Sequence, residues 1–238
     1  MANQPFKFKQ FTVHQDQCAM KIGTDSVLLG AWATIKHKPY SILDIGAGTG
    51  VLSLMLAQRS YAEAIDALEI DDKAYEQCVA NFEASPWSDR LFCYHASLVE
   101  FITEIEDEYD LIISNPPFYS EDYKSGETQR DLARFSDAMP FEHLVAAAGK
   151  FLSEDGKFVV IIPFKEENHF NNLAEKVGLF PNQMLRVKGN TNSPIVRSLI
   201  EFSFNKTDLK IDELIIEKER HNYTEDYINL TKDFYLKM

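Results

Sequence analysis

Five times between Ser41 and Val177 a short apolar run gives way to a stretch with helical periodicity, and few folds accept that rhythm. The runs are Ser41–Ile45, Ala64–Ile70, Leu91–His95, Asp110–Ser114 and Lys157–Pro163. The periodic stretches are Val51–Arg59, Asp72–Glu83, Val99–Glu106, Phe141–Leu152 and Glu166–Val177. A strand whose helix carries the chain back to lay the next strand beside it builds a parallel sheet with helices on both faces. Strands buried on both sides read as continuous apolar runs, as Leu111-Ile112-Ile113 and Phe158–Ile162 do. After Gly178 the rhythm changes. Gln183–Lys188 and Ile195–Phe204, joined through Gly189-Asn190-Thr191-Asn192, suit an antiparallel pair closing the sheet. Ile211–Ile216 offers a further strand, and Tyr223–Leu236 an amphipathic helix.

The expected fold is α/β, Rossmann-like, with a mostly parallel seven-stranded sheet and an antiparallel closing strand. A length of 238 residues suits one domain. It divides into an N-terminal extension over 1–40, a core over 41–204 and a C-terminal strand and helix over 205–238. The extension carries Phe6, Phe8 and Phe11, then a helical stretch near Asp25–Thr34 that Thr24 or Asp25 would cap. A hydrophobic content of 45% with 17 Phe is ample for the core. No basic region precedes an apolar core and cleavage site, so no signal peptide is expected. No apolar run approaches the roughly 20 residues of a membrane span. Cys18, Cys78 and Cys93 show no paired metal spacing and read as reduced thiols of a cytoplasmic protein, with no metal expected.

Leu43-Asp44-Ile45-Gly46-Ala47-Gly48-Thr49-Gly50 ends the first strand of the alternation and opens a helix. Glycines there allow a tight turn and close approach of a ligand to the backbone. Glu69 ends the next strand, where a carboxylate can accept from both hydroxyls of a ribose. A nucleoside-bearing cofactor follows. The dinucleotide fingerprint would need glycine where Val51 stands, and there is no Gly-Lys-Ser/Thr phosphate loop. The spacing resembles that of class I S-adenosylmethionine methyltransferases. The resemblance implies S-adenosylmethionine as cofactor, held by Asp44, Gly46, Gly48, Gly50 and Glu69. Ser97, after the third strand, would touch the adenine or simply cap the next helix; many relatives have Asp there.

Asn115-Pro116-Pro117-Phe118 follows the buried run Asp110–Ser114, which delivers it to the carboxyl edge of the sheet. The Asn115 side-chain oxygen and the Pro116 carbonyl can accept both hydrogens of one planar amino group. Phe118 offers a flat face for a ring, with Pro117 and Tyr119 lining the same place. Holding the amine in this way favours pyramidalisation and turns the nitrogen lone pair outward, so catalysis is orientation and electrostatics without a strong base. The tetrapeptide matches the signature of amino-group methyltransferases.

The order Phe8-Lys9-Gln10-Phe11, Cys18–Asp25, Leu28-Leu29-Gly30-Ala31-Trp32, Leu43–Gly50, Ser85-Pro86-Trp87, Asp110–Phe118 and the tail Asn222-Tyr223-Thr224 to Phe234-Tyr235-Leu236 resembles the bacterial tRNA(Val) adenine N6-methyltransferase family. The resemblance spans the chain. It implies methylation at N6 of adenine 37, beside the anticodon of tRNA(Val), with the anticodon arm as partner; a monomer is expected. It also implies that the Lys21–Asp25 turn, with Lys21 and Thr24, sits near the methionine end of the cofactor. The rivals are a ribosomal-RNA guanine N2 enzyme, a protein glutamine N5 enzyme, and a silent RNA-binding protein. The first often carries a duplicated domain and the second a substantial N-terminal helical domain, where only about 40 residues precede the first strand here. The intact glycine, Glu69 and Asn115 set argues against the third.

A net charge of -13 argues against generic binding along a duplex. A local basic face remains open to an acidic body. Lys7, Lys9, Lys124, Arg130 and Arg134 are expected around the pocket mouth, with Arg186, Lys188 and Arg197 as further candidates. The polar stretch Tyr119–Met139 would serve as a substrate lid.

Overall fold

The computed structural model describes residues 4–117 and 139–238. In chain order the strands are Phe6–Lys7 (β1), Thr12–Val13 (β2), Ser41–Ile45 (β3), Ala64–Glu69 (β4), Leu91–His95 (β5), Tyr109–Ser114 (β6), Leu152–Pro163 (β7), Phe180–Asn190 (β8), Ile195–Ser203 (β9), Lys210–Glu219 (β10) and Asn222–Tyr223 (β11). The α-helices are Thr24–Trp32 (α1), Val51–Arg59 (α2), Asp72–Glu83 (α3), Leu98–Glu104 (α4), Phe141–Phe151 (α5), Glu167–Lys176 (α6) and Glu225–Thr231 (α7).

Alternate residues of each central strand point to opposite faces of the sheet, and each face has its own core. Ile42, Leu111, Ile113, Val159 and Ile161 pack with α1, α2 and α3. Leu43, Ile45, Ile112, Phe158, Val160 and Ile162 pack with α4, α5 and α6. That division explains the unbroken apolar runs, since both faces are covered. The strand order is β11-β10-β8-β9-β7-β6-β3-β4-β5. β3, β4, β5, β6 and β7 run parallel. The order turns back at β3, which has β4 on one side and β6 on the other, so a crevice opens beyond its carboxyl end.

Four expectations need correction. The sheet has nine strands among the described residues, because β10 pairs parallel with β8 and β11 folds back on β10. The antiparallel strand does not close the sheet; β9 lies between β7 and β8 and bonds to both. Neither Thr24 nor Asp25 caps α1. Gly23 occupies the cap position without a side-chain bond, and the Asp25 carboxylate accepts from Arg197 Nε at 2.8 Å instead. The final helix is also shorter than the pattern suggests. Thr224 caps it at 3.2 Å, but beyond Thr231 the chain leaves the helix so that Phe234 and Tyr235 can dock on Phe8. The Lys9 N–H closes that junction on the Phe234 carbonyl at 2.9 Å.

Candidate active site

The glycine turn is shaped by its neighbours in the sheet. The N–H groups of Gly46 and Ala47 both donate to the Leu68 carbonyl of β4, at 2.9 and 3.0 Å. Gly46, Gly48 and Gly50 all have positive φ, at 77°, 56° and 77°. Their roles differ. A methyl group on Gly48 would meet nothing within 4 Å, so the space before it is open to a ligand. One on Gly50 would strike Phe82 at 2.5 Å and Cys78 at 2.8 Å, so this glycine lets α2 start against α3. Gly46 faces Met139, whose methyl carbon would lie 3.6 Å away.

Glu69 ends β4 with its carboxylate over the turn. Its Oε2 accepts from the Gly48 N–H at 2.7 Å, and Oε1 accepts from the N–H groups of Ile70 and Asp71 at 2.9 Å each. Three of its roughly four acceptor positions are thus in use. Next to it Ile70 is 60% exposed, an apolar surface at the mouth of the crevice. Asp44 lies beneath the turn, fully buried. Ser53 donates to its Oδ2 through the hydroxyl at 2.8 Å and the N–H at 3.2 Å, while its Oδ1 is buried with no partner. Burial pushes the Asp44 carboxyl up to about 7 against the opposing pull of the Ser53 bonds.

Across the crevice, β6 presents Asn115. The Ser114 hydroxyl donates to the Ile45 carbonyl at 2.8 Å, tying the end of β6 to the end of β3 just before the two motifs diverge. Asn115 Nδ2 donates to the Ser26 hydroxyl of α1 at 2.9 Å. The side-chain oxygen is thereby left as an acceptor. Pro116 is buried and Pro117 half-buried. Phe118, Tyr119, Lys124, Arg130 and Arg134 lie outside the described residues, as does the expected lid apart from Met139.

The N-terminal segment from His14 onward runs along the cofactor side. Asn81 of α3 holds it: its oxygen accepts from the His14 N–H at 2.8 Å, and its Nδ2 reaches the carbonyls of His14 and Thr49 at 2.9 Å each. Gln77, one turn earlier, accepts from the Gln17 N–H at 3.1 Å. Lys21 donates to the Gln15 carbonyl and, at 2.9 Å, to that of Cys18, which fixes this loop. Cys18 is buried beside Glu69; burial first and that carboxylate second push its thiol up to about 11. Thr24, the first residue of α1, is exposed. Ser97 caps α4 in a reciprocal box, accepting from the Glu100 N–H at 3.2 Å while its own N–H donates to the Glu100 carboxylate at 2.8 Å.

Sequence reasoning missed Ser26, Ser53, Ile70, Ser114 and the Gln77/Asn81 pair. Only the last left a trace, as two amides one turn apart on the apolar face with Cys78 and Phe82. The basic candidates on the crevice side are paired: Arg186 with Glu167, Lys188 with Glu213 and Arg197 with Asp25. Lys9 is turned toward the C-terminal carbonyls of Lys232 and Met238. A hollow of about 430 Å³ between Lys9, Ile35, Gln58, Arg59 and Asp233 lies at the far end of α2 from the glycine turn and takes no part in this site.

The residues present fit S-adenosylmethionine. The open face of Gly48 admits a ligand to the backbone, Glu69 retains an acceptor position for a ribose hydroxyl, and the unpartnered Asp44 Oδ1 suits a cationic amine directly or through water. The family model described as Methyltransferase small domain matches residues 22–181. A Flavobacterium johnsoniae protein named tRNA1(Val) (adenine(37)-N6)-methyltransferase is 65% identical over 234 residues, covering 98% of this chain and 100% of that protein. A Christiangramia forsetii protein of the same name is 61% identical over 240 residues, covering 100% of both. Among solved structures, an Agrobacterium tumefaciens protein described as a predicted O-methyltransferase superposes with a TM-score of 0.64 at 17% identity. It covers 88% of this chain and 96% of its own, a likeness of fold.

Proposed function

This chain belongs to the methyltransferase small-domain family and, through likeness along its whole length, to the tRNA1(Val) (adenine(37)-N6)-methyltransferases, and from that membership we propose how it works. It is an enzyme that methylates the exocyclic N6 of adenine 37 in tRNA(Val), with S-adenosylmethionine as cofactor. The observation that carries the mechanism is the junction of the two motifs: β3 and β6 are adjacent, and the Ser114–Ile45 bond holds the glycine turn and Asn115 on the same edge.

S-adenosylmethionine supplies an electrophilic methyl group on a sulfonium sulfur. The turn at Gly46–Gly48 would admit it to the backbone, Glu69 would accept from its ribose, and Asp44 would balance positive charge from below. Asn115 Oδ1 and the Pro116 carbonyl accept the two hydrogens of the adenine amine. Those bonds draw the nitrogen lone pair out of conjugation and aim it at the methyl group. Methylation would leave the amine nitrogen with one proton too many, and Asn115 Oδ1 would hydrogen-bond that proton until water removes it. Phe118 stacks on the flipped adenine, with Pro117 and Tyr119 beside it. Lys21 acts through the loop it orders near the methionine end, Thr24 acts from the exposed start of α1, and Ser97 serves the adenine end through its hydroxyl or by holding α4.

The finer reading is of one methyltransferase domain over 1–238, a monomer in the cytoplasm that grips the anticodon arm without a metal. Lys7, Lys124, Arg130 and Arg134 supply phosphate contacts, because three other candidates, Arg186, Lys188 and Arg197, are already paired with carboxylates. Among the described residues no helix is long and apolar enough to cross a membrane. The test is methyl transfer from labelled cofactor to tRNA lacking the modification, with nucleoside analysis and Asn115→Ala in parallel. N6-methyladenine in tRNA(Val), lost in the variant, is the expected result. Product only in ribosomal RNA or protein would move the acceptor and overturn the assignment.

A further inference from the structure

A carboxamide is nearly symmetric in shape, and a half-turn about its last bond exchanges acceptor for donor. The mechanism above needs the Asn115 oxygen, not its nitrogen, toward the substrate amine. We infer that Ser26 is a positioning residue for Asn115: its hydroxyl takes a hydrogen of Nδ2 at 2.9 Å and leaves Oδ1 facing the amine. This inference rests on the reading of Asn115 as the amine-binding group.

Both partners stand on braced elements. Asn115 follows β6 directly, and Ser114 ties that strand end to β3. Ser26 sits in the first turn of α1, next to Asp25, whose carboxylate is held by Arg197 at 2.8 Å. Arg197 pairs with Pro163 across β9 and β7, so the start of α1 is fastened to the same edge of the sheet. Farther along, Gly30 lets α1 approach α2 so closely that a methyl group there would lie 2.7 Å from the Met55 sulfur.

A hydroxyl both donates and accepts, so Ser26 alone would tolerate either orientation of the amide. The incoming amine breaks the tie. With Nδ2 toward the substrate, amide hydrogens would face amine hydrogens. With Oδ1 toward it, the amine hydrogens meet an acceptor and Ser26 accepts one of the two Nδ2 hydrogens. Removing the hydroxyl leaves an amide hydrogen without a partner when adenine fills the crevice and water is excluded. The loss therefore falls on turnover and spares cofactor binding.

Ser26→Ala should lower kcat by about 5- to 30-fold while the Kd for S-adenosylmethionine changes by less than about twofold. Ser26→Thr keeps the hydroxyl and should recover most of the loss. In an Asn115→Asp background both side-chain oxygens accept, orientation no longer matters, and adding Ser26→Ala should cost less than about threefold. A kcat for Ser26→Ala equal to wild type, or the same loss in both backgrounds, overturns the inference. A second readout needs no turnover. The Asn115 NH₂ resonances, identified by their absence in Asn115→Ala, should move in Ser26→Ala and stay near wild type in Ser26→Thr. If they move as expected while wild-type protein methylates no adenine in tRNA, the contact stands and the proposed function falls. If wild type is active and they do not move, the positioning role falls alone.

Discussion

Replacing Asp44 with asparagine isolates a carboxyl that the fold buries completely beneath the glycine turn. In the unfolded chain this group titrates near 3.8, and burial raises it to about 7 in the folded protein. Between those values the folded protein holds a proton that the unfolded chain has lost. Stability from this group is therefore fully present below about 3.8 and is lost as pH rises through about 7. At ~1.4 kcal/mol per pH unit over about three units, the whole effect is on the order of 4 kcal/mol, of which roughly 2.5 kcal/mol falls between about pH 5 and about pH 8.

Urea unfolding of cofactor-free wild type and Asp44→Asn across that range measures it. The amide can still accept both Ser53 bonds, and any cost of its NH₂ group is independent of pH. The difference in unfolding free energy, wild type minus variant, should fall by roughly 2.5 kcal/mol from about pH 5 to about pH 8. Other titrating groups are common to both proteins and cancel. A difference that stays constant within about 0.5 kcal/mol would refute the argument that burial controls this carboxyl. A cofactor ammonium beside Asp44 should also expel its proton. Binding enthalpy near pH 7 then depends on the ionisation enthalpy of the buffer in wild type and loses that part of the dependence in Asp44→Asn.

The two glycines with different surroundings should separate cleanly. Gly50→Ala, which strikes Phe82 and Cys78 at a positive φ, should cost about 2–4 kcal/mol in urea unfolding. Gly48→Ala meets nothing and should cost about 1–2 kcal/mol, yet weaken cofactor binding by more than about tenfold in calorimetry. Equal stability losses would refute that distinction. Asn81→Ala removes three bonds to His14 and Thr49 and should cost about 2–4 kcal/mol or release the N-terminal wrap. Limited proteolysis with mass analysis reads this as faster cutting between Thr12 and Cys18, and an unchanged cutting pattern at unchanged stability counts against it. Arg130→Glu combined with Arg134→Glu should weaken tRNA binding by at least about tenfold and flatten its salt dependence while sparing cofactor affinity; unchanged tRNA affinity sinks the phosphate-contact role.

Much of the architecture was legible because it follows from local rules. Period-2 and period-3.6 patterns are properties of short segments, so Ser41–Ile45, Val51–Arg59, Asp72–Glu83 and Leu91–His95 have the bounds the pattern predicts. The glycine turn and Asn115-Pro116-Pro117 were readable for a similar reason: a backbone that must accept positive φ or present a fixed carbonyl leaves little choice of residue. What the tertiary structure alone decided are contacts between segments whose separation no local rule encodes. Nothing near Ile195 requires β9 to lie between β7 and β8, and the alternation at Ile211–Ile216 is silent about its partner. Asn115 finds Ser26 89 positions away, and Arg197 finds Asp25 172 positions away. Even the glycines divide by tertiary setting: all three share a positive φ, but α3 stands against Gly50 and open space against Gly48, so one serves packing and the other a ligand.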